Sequence, residues 1–278
     1  MYRSCINTDI IQTLGGSPLQ PWMKAADMIQ DHKTLMQALA RFAIADMNAF
    51  FAWWVDADAV DSSVNSFFIA QGGITMPDMS YYLDKTAAMA RHRKAYTTMI
   101  KNIMVLSGRN STEAEEDAEN VLAVETLIAA VMTPPADERD EHGKRMTVGE
   151  LSKLLPFMDW DGWFKMIGTP DIGTEKGGYM VVKNAGFLKQ LNSVMEGLSF
   201  AEMRSYMRWQ AAYNYAPFLS FKFEDELVKY NHDLYGISHL PPRWRKCYFA
   251  TQRWVSLPSL PMSKLKTSAR SRCWSSRE

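Results

Sequence analysis

Apolar residues recur at intervals of three and four through most of this chain, and the pattern is interrupted by a few glycines and prolines. The longest patterned stretch runs over residues 199–247. Ser199-Phe-Ala-Glu202 opens it as a capping box, in which hydroxyl and carboxylate each satisfy a backbone N–H left unpaired by the first helical turn. Met203, Tyr206, Met207, Tyr213, Ala216, Phe218 and Leu219 then share one helical face. Pro217 lies inside the pattern and is expected to kink or interrupt it, having no N–H to donate. A second helix is predicted over 223–234 and stops at Gly236, which tolerates a positive φ.

Upstream, residues 9–31 read as short helical pieces around the turn Gly15-Gly16-Ser17-Pro18. The spacing of Leu35, Leu39, Phe42, Ala43, Met47 and Phe50 predicts a helix over 34–55. Its end, 49–55, is apolar on every side and must be deeply buried or run into a strand. A polar loop (56–63) and a short strand (64–70) follow. Gly72-Gly73 and Pro77-Asp78 are turn chemistry, after which the Tyr81-Tyr82 pair starts the next helical region. A helix over 88–108 carries Ala95, Met99, Ile103 and Leu106 on one face and closes at Gly108. Thr112-Glu-Ala-Glu115 reads as a capping box for a helix over 113–132, with Ala118, Val121, Leu122, Glu125, Ile128 and Met132 along it. Pro134-Pro135 ends that helix, and 136–145 is a charged loop. Thr147-Val-Gly-Glu150 caps a short helix reaching 155. Residues 168–186 are glycine-rich with one short strand at 179–182, and a helix over 187–195 leads into the opening stretch. The fold class is mainly α with minor short β-strands.

The 278 residues, 47% apolar and 22% charged, suffice for one large domain or two small ones. Thirty-one Lys or Arg balance 31 Asp or Glu, which predicts no nucleic-acid partner. The balance is uneven: residues 255–278 hold five Lys or Arg against one Glu, together with seven Ser. No run of 18 apolar residues forms a membrane segment, and the opening Tyr2-Arg3-Ser4-Cys5 shows no signal peptide. Cys5, Cys247 and Cys273 have no metal-type spacing and read as buried or free thiols.

Catalytic patterns are absent from these residues. None of His32, His92, His142, His232 and His239 begins a His-Glu-x-x-His motif or has a second His three or four positions away. There is no G-x-S-x-G elbow and no phosphate loop. Asp56-x-Asp58 and Asp159-x-Asp161 lack the continuation of a calcium loop and read as solvated acids. Asn110-Ser-Thr112 is a formal glycosylation sequon overlapping the predicted helix start. Trp53-Trp54 and the tyrosine clusters are candidates for a peptide groove, with buried packing as the alternative.

The order of residues adds what pattern does not. Tyr206-Met-Arg-Trp209-Gln-Ala-Ala-Tyr213, Ala216-Pro217-Phe-Leu-Ser220, Leu234-Tyr-Gly236 and Arg243-Trp244-Arg-Lys-Cys247 resemble the non-catalytic half of neprilysin- and endothelin-converting-enzyme-like zinc metallopeptidases. Gly73-x-x-x-Pro77-Asp78-x-x-Tyr81-Tyr82-Leu83 is a second mark of that family, with Ile74-Thr-Met76 where the family prefers a Leu-Gly-Leu-like run. Glu125, the Arg139-Asp140 pair and the Asp159–Trp163 element match further family habits. The resemblance covers about residues 1–254 and implies a multi-helix lid-type domain that faces a catalytic domain in cis and encloses short peptides. It implies zinc for the full-length family and none held by this chain, so that the chain alone is expected to be inactive. It also implies pairing of Cys5 with Cys247 in secreted members, whereas bacterial relatives keep these positions without a bridge. An extracytoplasmic or secreted location follows from the family alone. Residues 255–278 depart from the family's small-residue helix and are expected to be a disordered basic tail, either out of frame or genuine. The competing readings are a non-enzymatic helical module for peptides or proteins and a truncated gene product.

Overall fold

The computed structural model describes residues 2–58, 61–134, 143–169, 171–173, 178–237 and 239–256. In chain order the helices are α1 (Tyr2–Ile6), α2 (Thr8–Leu14), α3 (Gln20–Asp27) and α4 (His32–Ile44). Strands β1 (Phe51–Ala57) and β2 (Asn65–Gln71) come next, then α5 (Ser80–Leu83), α6 (Ala87–Leu106) and α7 (Ser111–Ala130). After β3 (Lys144–Met146) follow α8 (Val148–Leu154), α9 (Trp160–Met166), β4 (Met180–Val182) and α10 (Ala185–Gly197). The chain closes with α11 (Phe200–Tyr215), α12 (Phe221–Tyr235) and α13 (Arg243–Ser256). The fold is mainly α with one small sheet, ordered β1-β2-β4-β3. β1 and β2 are antiparallel with Trp54 opposite Phe68, β2 and β4 run parallel, and β3 returns antiparallel to β4.

Several helix ends carry the caps predicted for them. Ser199 and Glu202 close a capping box at α11, Thr147 and Glu150 one at α8, and Gly236 ends α12 at φ 70°. Pro217 stops α11 as expected, and Ala216–Phe218 continue as a tight 3-10 turn.

Three boundaries differ from the sequence reading. The helix predicted over 34–55 ends at Ile44, and its all-apolar end is strand β1. Asp46 (φ 60°) and Phe50 (φ 65°) take left-handed conformations that no helix can continue through, and the aromatic run beyond them suits a pleated, buried surface. α7 begins two residues earlier than predicted, because its capping box is Asn110 with Glu113 instead of Thr112 with Glu115. Finally, Lys144–Met146, expected in a charged loop, pairs as β3 along β4. The 255–278 tail is described only to Ser256, and its remainder lies outside the described residues.

Side chains pack into two cores. The first lies between the sheet, α3, α4 and α8–α11, where Phe51, Trp53 and Phe67 meet Trp160, Trp163 and Phe164. The second gathers Tyr82, Tyr96, Ile100, Ile103, Trp209, Phe223 and Tyr230 among α5, α6, α7, α11 and α12. α7 and α11 contribute to both: Val124 and Met203 face the first core, Val121 and Trp209 the second.

Candidate functional site

The segment 72–83, between β2 and α6, is fixed by a buried polar cluster centred on Glu125 of α7. Glu125 is 0% exposed. Its Oε2 accepts the hydroxyl protons of Tyr82 (2.6 Å) and Tyr96 (2.7 Å), and Oε1 bonds Thr75 Oγ1 (2.7 Å). Trp209 Nε1 donates to Tyr96 Oη (2.8 Å) and Thr75 Oγ1 (3.1 Å), so α11 joins the same cluster. Tyr82 Oη accepts the backbone N–H groups of Thr75 (3.1 Å) and Met76 (2.8 Å). Burial pushes the Glu125 carboxyl up to about 7, against the lowering pull of its hydroxyl donors. Tyr82, Tyr96 and Tyr206 are all held above the ordinary phenol range by burial first and by the Glu125 charge next.

Gly73 in this segment has its own lock. Gly73 sits at φ +93°, and a Cβ there would lie 2.8 Å from Phe50 Cα and from the Phe50 carbonyl oxygen. Tyr206 Oη donates to Gly73 O (2.8 Å) and accepts the Phe50 N–H (3.0 Å), joining the two positive-φ residues through α11. Asp78 accepts from Ser80 N (2.8 Å) and Ser80 Oγ (2.6 Å), which starts α5, while Pro77 is exposed. Tyr81 packs beside His92, and Arg93 binds its carbonyl at 2.8 Å.

The remaining motif residues form a second cluster at the junction of α1, α12 and α13. Arg243 Nε donates to Cys5 O (2.8 Å), and Nη1 to Leu219 O (3.0 Å) and Glu224 Oε1 (2.6 Å). Its Nη2 donates to Phe218 O, a carbonyl that the turn at Pro217 presents. Cys5 and Cys247 are joined, with Cα atoms 5.7 Å apart. Trp244 belongs to neither cluster and is 59% exposed. Arg139 and Asp140 lie outside the described residues.

Thr75 and Tyr96 are the site residues that the sequence reading missed. Glu125 was visible there, as an acid on an otherwise apolar helical stripe. The cluster offers no nucleophile–base pair. Its carboxyl is fully buried, and its hydrogen bonds to Thr75 and Tyr82 tie segment 72–83 to α7.

The architecture is that of a mainly helical domain with one small mixed sheet, and comparison with known proteins gives it a family. The family model described as Peptidase family M13, for the N-terminal part, matches residues 1–259, and this chain belongs to that family. Mouse endothelin-converting enzyme 1 is 28% identical over 282 residues, covering 94% of this chain and 35% of the mouse enzyme. The human enzyme is 27% identical with the same coverage, so the chain spans about a third of the length of these relatives. The zinc metalloprotease Zmp1 of Mycobacterium tuberculosis, solved with an inhibitor, has a TM-score of 0.81 at 24% identity, covering 92% of this chain and 39% of Zmp1. PepO of Lactobacillus rhamnosis gives 0.73 at 14% identity, covering 91% and 40%. The family is one of metallopeptidases, and zinc is what it implies. Zinc needs three or four His, Cys or carboxylate ligands converging on one point. Among the described residues no group of three such side chains is placed to hold a metal ion.

Proposed function

We propose that residues 1–254 form the substrate-enclosing wall of a family M13 zinc endopeptidase, working on short peptides with a catalytic domain in cis. The observation that carries this is the family match across residues 1–259 of a chain whose sequence holds no His-Glu-x-x-His. The wall's work is exclusion and gating: it admits short peptides, keeps folded proteins out and limits water, separately from bond cleavage. Gly73, Tyr82 and Trp209 set the shape of one loop of that wall. Arg243, Pro217 and the Cys5–Cys247 bridge tie its first helix to its last. A secreted or extracytoplasmic setting, where a disulfide persists, suits the bridge. No helix among the described residues is long and apolar enough to cross a membrane.

The test is peptide hydrolysis by the pure 278-residue chain with added zinc, with and without chelator. No turnover is expected, and chelator-sensitive cleavage would overturn the proposal. A second reading, a peptide-binding module without catalysis, draws on a groove of about 640 Å³ between α6 and α12. It is lined by apolar Ala95, Met99 and Tyr230 together with charged Arg91, Lys94 and Asp233. Saturable peptide binding without turnover, abolished by substitutions at Met99, favours that reading.

A further inference from the structure

We propose that Glu125 is a proton-operated latch: protonated, it clamps segment 72–83 to α7, and ionised, it releases that segment. Its meaning for substrate entry rests on the enclosing role proposed above, whereas the latch itself rests on the buried cluster alone.

Among the described residues, the groups that face the carboxyl are neutral. α5 presents Tyr82, α6 Tyr96, α11 Trp209 with Tyr206 and Tyr213 further out, α12 Tyr230, and the segment itself Thr75. Among the described residues no Lys, Arg or His pairs with Glu125. A carboxylate with no exposure and no cation is costly to hold, even with three hydroxyl donors. The neutral acid fits the same oxygen positions. Oε2 accepts from both phenols, and the acid proton on Oε1 is donated to Thr75 Oγ1, which still accepts the Trp209 N–H.

The cluster also determines which part gives way. Tyr96 and Trp209 belong to the long core helices α6 and α11. Thr75 and Tyr82 belong to segment 72–83, which is half-buried over most of its length and exposed at Pro77. Ionisation therefore acts on the piece nearer solvent, held at its ends by Tyr206 on Gly73 O and Arg93 on Tyr81 O. Water reaches the carboxylate when Thr75 and Tyr82 move away, and the N–H groups of Thr75 and Met76 lose Tyr82 Oη together.

Burial lifts the carboxyl from its ordinary 4.5 to about 7, so the folded chain holds a proton that the unfolded chain has lost across that window. The stabilisation from this group is fully present below pH 4.5 and is lost as pH rises towards 7. The folding equilibrium constant falls over this range by a factor on the order of 10², which is ~3 kcal/mol at 1.36 kcal/mol per pH unit.

The experiment follows urea unfolding and amide exchange of the full 278-residue chain from pH 4 to 9, for wild type and Glu125→Gln. The wild type is expected to lose stability between about pH 4.5 and 7. Exchange at Thr75 and Met76, divided by intrinsic rates, should rise together near neutrality, while amides in the middle of α6 stay protected. Glu125→Gln, a neutral mimic of the protonated acid, should flatten both profiles. An equal pH dependence in the variant overturns the latch. Should the variant fail to fold, carboxyl carbon shifts of the wild-type glutamates decide the matter. One glutamate titrating near neutrality upholds the proposal, and all midpoints below about 5.5 overturn it. No substrate enters these measurements, so failure of the peptidase reading leaves their outcome readable.

Discussion

Gly73 and Phe50 meet back to back, each at a positive φ, with Tyr206 Oη hydrogen-bonded to both backbones. Phe50 has a side chain and is held in a conformation that costs about 1–3 kcal/mol, and only a glycine leaves room for its backbone to stay there. Gly73→Ala is expected to destabilise the chain by about 2–3 kcal/mol, because the new Cβ collides with backbone that cannot shift without breaking β1. Urea titration measures it, as a lower midpoint at unchanged slope. Gly186→Ala, inside α10 where a Cβ meets open space, should by contrast be neutral or slightly stabilising. Gly73, Tyr82 and Trp209 were legible in the sequence because they stand in a recognisable order. Their partners Thr75 and Tyr96 were not. A threonine in a loop carries no periodic signal, and Tyr96 stands one position from the predicted Ala95 face, a rotation that spacing alone cannot resolve.

The start of α7 gives a sharp test of which cap operates. Asn110 Oδ1 accepts the Glu113 N–H at 2.9 Å, and Glu113 Oε2 accepts the Asn110 N–H at 3.1 Å. Asn110→Ala should therefore cost about 1 kcal/mol, whereas Thr112→Ala, which the sequence alone would have made the damaging change, should cost a few tenths. Thermal unfolding of the two variants compares them directly. Elements were otherwise most legible where side-chain chemistry dictates backbone locally, as at Ser199–Glu202, Thr147–Glu150 and Gly236. They were least legible at 45–57, where an aromatic run has no period. The backbone there turns at Asp46 and Phe50, and Phe50 is held by Tyr206 from 156 residues away.

At the scale of the whole molecule, Cys5 and Cys247 close a loop with a sequence separation of 242, beside Arg243's bonds to Cys5 O and Leu219 O. By the chain-entropy account such a closure stabilises by up to about 5 kcal/mol. Cys5→Ser is expected to lower the unfolding midpoint markedly and to make it insensitive to reductant, while the parent chain moves down to meet it once reduced. Peptide mapping without reduction identifies the bridge. The mainly α class and the family were readable from motif order. The division of the interior into two cores was not, because periodicity marks a buried face without naming its partner.

That division shapes how the molecule comes apart. α7 and α11 each lend one side to the sheet core and the other to the tyrosine-rich core, so neither core has a complete wall without the other. Pulled by its ends with the Cys5–Cys247 bridge reduced, the chain would yield in one rupture instead of two steps, and a split reporter cut between β2 and α5 would leave two fragments that fold only on each other.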